Sequence, residues 1–242
     1  MKPRLLLSLF FLSFLILEIR AQDEEVEEIY RKRIDKTYHK VGGELIFQFA
    51  DVERFGVDLG SPVRFSAVFH VNHEWHVDFN NNFGMYIGGS LRNIGMITRD
   101  EPAYTESDNK IKRRAYTIGF PLAFKLGNFD ERIFFFGGGE IEIPFAYKEK
   151  LFIDGDKEAK NTEWFTGKVN PFLPSVFAGF QFPKGTSVKF KYYLNDFLDD
   201  SYSGRSFGQD DNFSSFGKSQ IFYISVSHMI RTRKIIREIS EL

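Results

Sequence analysis

The sequence contains no cysteine, and this absence removes several classes of protein at once. Without a thiol there is no acylation site for a lipoprotein, no disulfide framework and no thiolate chemistry. The chain also lacks an excess of charge of one sign, because 32 Lys and Arg balance 33 Asp and Glu to a net charge of -1. That balance gives no sign of nucleic-acid binding.

Beyond its first residues, the chain has no apolar run of 18 or more residues, which excludes a helical membrane protein. At the N-terminus, Lys2 and Arg4 precede an almost wholly apolar stretch over residues 5–17, and Ala21 stands before Gln22. This pattern predicts a cleaved signal peptide over residues 1–21. An N-terminal membrane anchor is the alternative, but the stretch falls short of the ~20 residues that a spanning helix needs.

What the chain does contain is phenylalanine, 29 in all, arranged with strand-like alternation of apolar and polar residues. The clearest segment is 63–79, where Phe65 and Trp75 share one face while Arg64 and His70 share the other. Eight such segments follow one another, joined alternately by short turns and long polar connections. The short connections are 80–82, 127–131 and 183–185, and the long ones are 51–61, 93–112, 148–170 and 197–218.

These alternating connections predict an all-β fold, an eight-stranded antiparallel up-and-down transmembrane β-barrel over residues 41–230. In such barrels short turns face the periplasm, so an even strand count places both termini there. Residues 22–40 then form a charged periplasmic segment, either a short helix or a solvated leader, and residues 231–242 form a charged tail. Pro121 cannot donate to a strand ladder, so we expect a bulge or local distortion at that position.

Strand parity sends seven ionisable side chains into the lumen, because Lys or Arg facing lipid near the midplane would cost about 2–4 kcal/mol. The predicted lumen charge network is Arg64, His70, Lys125, Glu140, Glu142, Lys189 and Lys191. Eight strands leave an interior just wide enough for side chains to fill, so we expect a filled lumen. In it, Glu140 and Glu142 would be neutralised by cations of this set.

The alternative use of Glu140 and Glu142 is acid and base catalysis or cation binding. His70 and His76 fall on the opposite face from His73, which argues against a shared metal site. No G-x-S-x-G motif occurs, and the run Gly137 to Gly139 lies within a strand rather than before a helix. We therefore predict no catalytic residue, no metal and no cofactor.

Four stretches carry a resemblance to a known family. They are FGMYIGGSLRNIGMI (83–97), YTIGFPLAFKLGN (116–128), FFFGGGEIEIPFAYKEK (134–150) and FPKGTSVKFKYYLNDF (182–197). Together they resemble the small outer-membrane β-barrel proteins of Bacteroidetes, a porin-like or PorT-like group. The resemblance implies a fold and an outer-membrane location rather than a chemistry.

Four functions are compatible with this sequence. The first is a non-enzymatic outer-membrane barrel that acts structurally or binds through its outer loops, with outer-membrane lipid as its surroundings. The second is a component of a secretion or envelope-biogenesis machine, contacting envelope proteins through residues 23–40 and 231–242. The third is a lipid-modifying enzyme using Glu140, Glu142 or His70. A soluble lipocalin-type barrel is the fourth, disfavoured because its apolar face should point inward. The sequence names no small-molecule ligand.

Overall fold

The computed structural model describes residues 37–103 and 108–232. Within them, eight strands form the main sheet: β1 (Thr37–Arg54), β2 (Val71–Asp78), β3 (Phe83–Arg99), β4 (Asn109–Asn128), β5 (Ile133–Ile153), β6 (Leu173–Gln181), β7 (Thr186–Tyr193) and β8 (Phe216–Thr232). Shorter strands occupy Val57–Asp58, Arg64–Ser66, Asp156–Trp164, Ser203–Ser206 and Gln209–Asn212. Single turns of 3-10 helix occupy Pro183–Gly185 and Phe213–Ser215.

The eight strands close into a ring. Each pairs antiparallel with its neighbours along the chain, and β8 pairs back with β1. The closing seam runs from His39 opposite Thr232 to Arg54 opposite Phe216. The predicted eight-stranded antiparallel up-and-down barrel is therefore confirmed.

Period-two alternation explains why these residues form a barrel wall. Along β4, Ile118, Phe120 and Leu122 point outward and are exposed, whereas Ala123 and Lys125 point inward and are fully buried. Every ring strand carries such outward apolar side chains, which we call the apolar band. Exposed members, one from each strand, are Leu45, Trp75, Ile87, Phe120, Ile141, Val176, Phe190 and Ile224.

Three short turns connect strands at one end of the ring, which is also where β1 begins and β8 ends. In the first, the Oδ1 atom of Asn80 accepts hydrogen bonds from the backbone N–H groups of Asn82 (2.8 Å) and Phe83 (2.7 Å). In the third, Lys184 and Gly185 adopt left-handed φ angles of 66° and 89°. Asn and Gly suit such turns, so the local sequence fixes this end of the barrel.

The second predicted strand, 63–79, is broken in the structure. Arg64–Ser66 pairs with the middle of β1, β2 pairs with its beginning, and residues 67–70 leave the ladder. Phe69 has a φ of 65°, and Ser66 Oγ lies 2.7 Å from Nε2 of His70. The left-handed residue turns the chain, yet Ser66 and His70 are both buried, so the polar face keeps pointing inward.

The expected distortion at Pro121 occurs without a bulge. Pairing between β3 and β4 is interrupted between Ile87 opposite Leu122 and Ser90 opposite Gly119, the pairs that flank the proline, but the register is unchanged. A missing N–H donor accounts for the interruption. The register shift of β4 lies elsewhere, between Tyr116 and Thr117 on its β5 side.

Several strands are longer than the sequence predicts. β1 begins at Thr37 rather than 41, because Tyr38 and Lys40 continue its buried inward face. β3, β4 and β5 run on into the predicted loops 93–112 and 148–170. At the opposite end of the ring, β3, β4 and β5 therefore extend further than the predicted loops imply. This makes the barrel wall taller on the β3 to β5 side.

At the end of the barrel opposite the short turns, aromatic side chains pack across the lumen. Phe197 and Phe213 come from the last long connection and are fully buried. They belong to one apolar cluster with Tyr193 and Tyr223 of the barrel wall. The lumen is thus covered at this end.

The described residues include no helix long and apolar enough to cross a membrane. The predicted signal peptide 1–21, residues 22–36 of the predicted N-terminal segment and residues 233–242 of the predicted tail lie outside the described residues.

Candidate functional site

The middle of the lumen holds a cluster of three carboxylates and three cations. We call it the central cluster: Glu44 of β1, Arg92 of β3, Glu140 and Glu142 of β5, and Lys189 and Lys191 of β7. All six side chains are inward-facing, and all but Lys189 are almost completely buried. Equal numbers of opposite charges give the cluster no formal net charge.

Arg92 links the acids of the central cluster. Its Nε lies 3.2 Å from Glu44, and its Nη1 contacts Glu140 and lies 3.4 Å from Glu142. Lys191 lies 2.7 Å from Glu140 and also contacts Glu142, while Lys189 lies 2.8 Å from Glu44. Each carboxylate therefore has at least two cationic contacts.

Neutral side chains add further hydrogen bonds to these carboxylates. Ser90 donates a 2.6 Å hydrogen bond to Glu140, and the Tyr193 hydroxyl donates a 2.8 Å hydrogen bond to Glu142. Thr117 also donates to Glu142, and Ser225 donates to Glu44. Each of the three carboxylates therefore accepts at least one hydrogen bond from a neutral side chain in addition to its ion pairs.

The other predicted lumen residues lie apart from the central cluster. Lys125 pairs with Asp78 and donates a 3.2 Å hydrogen bond to the Tyr38 hydroxyl near the short-turn end. Arg64 donates a 2.6 Å hydrogen bond from Nη2 to Oδ1 of Asn93, and His70 contacts Ser66. The structure thus brings together four of the seven predicted residues, Glu140, Glu142, Lys189 and Lys191.

Two members of the central cluster are missing from the predicted network. Glu44 has the parity of the polar face of β1, and Arg92 has the parity of Ser90 on β3. Extending the parity of Phe83, Ile87 and Leu91 by one residue places Arg92 inside. The predicted connection 93–112 begins at the next residue, so Arg92 stood at the very end of a predicted strand and was not assigned to the lumen.

A second set of buried charges lies at the end of the barrel opposite the short turns. Glu101 is contacted by Arg54 (2.7 Å) and by Arg113, whose Nη2 lies 3.0 Å from it, and Arg54 also contacts Asp211. Burial opposes ionisation of Glu101, but the charge and hydrogen bonds of Arg113, together with the charge of Arg54, more than offset it. The pKa of Glu101 therefore lies below its usual range.

Lys168 forms a third charged group at this end. Its Nζ lies 2.7 Å from Glu149 and 2.8 Å from Glu163. Burial opposes its charge, yet hydrogen bonds to Glu149 and Glu163 raise the pKa of Lys168. These pairs tie the long connections to the barrel wall.

The histidines do not gather into a metal site. As parity predicts, His70 and His76 are buried while His73 faces outward. His73 Nε2 lies 3.2 Å from Nδ1 of His39, outside the lumen. Among the described residues, no group of three or more His, Cys, Asp or Glu side chains is placed to hold a metal ion.

No protein-family model matches the chain, and no curated protein matches it in sequence. Several solved structures are similar to it at low sequence identity. The attachment invasion locus protein Ail of Yersinia pestis, in complex with the heparin analogue sucrose octasulfate, is 11% identical, with a TM-score of 0.39 over 80% of this chain and 99% of that one.

Two further solved structures give similar values. Neisserial surface protein A is 8% identical, with a TM-score of 0.37 over 82% of this chain and 98% of that one. The outer membrane protein OprG of Pseudomonas aeruginosa is 12% identical, with a TM-score of 0.36 over 81% and 96%. Identities this low transfer no function, and the assignment of the fold rests on the closed ring of strands.

Proposed function

We propose that this chain is an outer-membrane β-barrel protein with a filled lumen, which acts structurally or by binding through its outer loops rather than as an enzyme. The observation that carries the proposal is the apolar band on a closed ring. Phe120, Leu122 and Phe124 are each about half exposed on a single strand. Such a continuous apolar surface is unfavourable in water, whereas a bilayer removes the cost.

The orientation follows from the connections. In transmembrane barrels short turns face the periplasm and long connections face outward. β1 begins and β8 ends at the same end of the ring as the short turns. We therefore assign both termini to the periplasm. Export through the signal peptide 1–21 fits this location, with the mature chain beginning near Gln22.

The central cluster supports a filled lumen and a structural role for its charges. Buried carboxylates that are all ion-paired offer no free base, and Arg92 and Lys191 each contact both Glu140 and Glu142. This disfavours the alternative of a lipid-modifying enzyme using Glu140, Glu142 or His70. We expect little steady ion conductance from the reconstituted protein.

The PorT-like alternative, a component of a secretion or envelope-biogenesis machine, depends on residues 23–40 and 231–242. The partners would then be envelope proteins in the periplasm, in addition to the surrounding lipid. Neither form of the proposed function involves nucleic acid as a partner. Deleting each segment separately and scoring secretion against surface binding separates the two.

The location and topology are tested with single cysteines, which report unambiguously because the chain has none of its own. Asp210 lies in the hairpin formed by Ser203–Ser206 and Gln209–Asn212, and Asn81 lies in the first short turn. Both positions are exposed, and each is replaced by Cys. On intact cells an impermeant maleimide should label the first variant and not the second. After lysis both should react. Equal labelling on intact cells, or an uncleaved inner-membrane species, would contradict the proposal.

A further inference from the structure

Beyond the apolar band, the outward face of the tall β3 to β5 side is basic. We call this surface the basic face: Lys112 and Arg114 of β4, Lys148 and Lys150 of β5, and Lys160 of the strand Asp156–Trp164. None of these five lies within 4 Å of a carboxylate oxygen in the part of the chain that the structure describes. Their charges are therefore not balanced within that part.

The register makes this arrangement costly. Lys112 lies directly opposite Lys150, Lys150 lies opposite Lys160, and Arg114 lies opposite Lys148. Neighbouring strands are ≈ 4.8 Å apart, and like charges directly opposite each other destabilise a sheet. Three such pairs on adjacent strands oppose folding, and an anion outside the chain would offset their repulsion.

A groove runs beside these cations. It has a volume of about 340 Å³, and its lining includes Arg64, Lys112, Arg114 and Lys150 together with apolar side chains. Phe65 and Val68 are 58% and 63% exposed. The groove thus offers cationic donors and apolar surface side by side.

Arg64 has a fixed position in that groove. Its guanidinium donates to Oδ1 of Asn93 (2.6 Å), to the carbonyl oxygen of Asn93 (3.1 Å) and to Gln48. All three accepting atoms are neutral, so no carboxylate offsets the positive charge of Arg64 where it lines the groove. A held guanidinium is well suited to phosphate, which it can contact through two parallel hydrogen bonds.

The level of the basic face identifies the kind of anion. Along β4 the outward side chains change from Lys112 and Arg114 to Tyr116 and then to Ile118. Arg114 and Lys148 are paired, so β5 changes at the same height. The cations therefore stand at the boundary between the apolar band and the outer surface, where lipid headgroups lie.

We propose that the basic face binds the phosphate groups of a phosphorylated glycolipid of the outer leaflet, with its acyl chains against Phe65, Val68 and the apolar band. The assignment rests on the proposed outer-membrane location. A soluble polyanion would satisfy the cations but would leave the exposed apolar side chains of the groove in water.

The experiment compares two double variants of the full chain, purified in dodecylmaltoside micelles. Lys112→Gln with Lys150→Gln removes one directly opposed pair, which relieves repulsion and so preserves the fold. Lys184→Gln with Lys218→Gln is the matched control, because both lysines lie outside the basic face. Heat-modifiable mobility on gels verifies that all three proteins are folded.

The probe is diphosphorylated lipid A, titrated and measured by native mass spectrometry. Each basic residue near an anionic lipid surface contributes about 1 kcal/mol, so the first variant should bind roughly thirtyfold more weakly than the wild type. The control should bind like the wild type. Equal affinity of the two double variants would overturn the proposal.

Two further probes separate the sources of phosphate. Lipid A stripped of its phosphates should bind weakly, and inositol hexaphosphate, which lacks acyl chains, should bind more weakly than lipid A. Inositol hexaphosphate binding as tightly as lipid A would replace the glycolipid by a soluble polyanion. Because micelle binding is independent of cell location, its failure is distinguishable from failure of the cysteine-labelling experiment.

Discussion

Replacing Arg92 with Met should destabilise the barrel strongly. The side chain contacts all three carboxylates of the central cluster, and methionine keeps most of its length while removing the charge. Three acids then face two lysines. Stranding a charge in this way typically costs about 3–5 kcal/mol of unfolding free energy. The loss should be measured by urea unfolding in detergent micelles, followed by tryptophan fluorescence.

Two comparisons show whether charge is the cause. Lys218→Met breaks the pair with Asp51, in which both side chains are about half exposed, so it should change stability little. Adding Glu140→Gln to Arg92→Met restores charge balance and should recover part of the lost stability. Ion pairing would not hold the central cluster together if Arg92→Met lowered the unfolding free energy no more than Lys218→Met. The same would follow if adding Glu140→Gln lowered it further.

Two more predictions concern the apolar band and the outer end. Ile141→Arg should lower stability in bilayers by about 2–4 kcal/mol, whereas Ser203→Arg, at an exposed position opposite Asn212 beyond the band, should not; equal losses in liposome unfolding would contradict the orientation of the faces. Because the pKa of Glu101 is lowered in the folded state, its ion pairs stabilise the protein above the usual carboxyl pKa, and that contribution is lost as the pH falls through the lowered value. Glu101→Gln should therefore flatten the acid limb of the stability curve measured by urea titration, and an unchanged slope would count against the pairing.

The fold could be predicted from the sequence because alternation is strongest along the apolar band. In β4 the residues from Ile118 to Phe124 are unambiguous, since every second side chain is large and apolar. The same rule fails beyond the apolar band. There Lys112 and Lys150 point outward while Arg113 and Glu149 point inward, so both faces are polar and the strands look like loops.

The sequence predicts which charged residues face the lumen better than it predicts which of them pair with each other. Parity shows that Glu140, Glu142 and Lys191 face inward, but not which cation each acid meets, because that depends on register across nonadjacent strands. Lys189 pairs with Glu44 rather than with Glu142, and Lys125 pairs with Asp78. The break at Phe69 was likewise hidden, because the alternation on either side of it stays in phase.

The closing seam places the start of the described chain against its end. β1 comes first in the ring and β8 last, so β1 lacks one of its two neighbours until β8 pairs with it. Any chain cut short before Phe216 would leave open edges on β1 and β7, and unpaired edges recruit other chains into aggregates. Because pairing between segments distant in sequence forms slowly, these two edges stay open until the last strand pairs. The ring of strands is therefore complete only when β8 has paired with both β1 and β7.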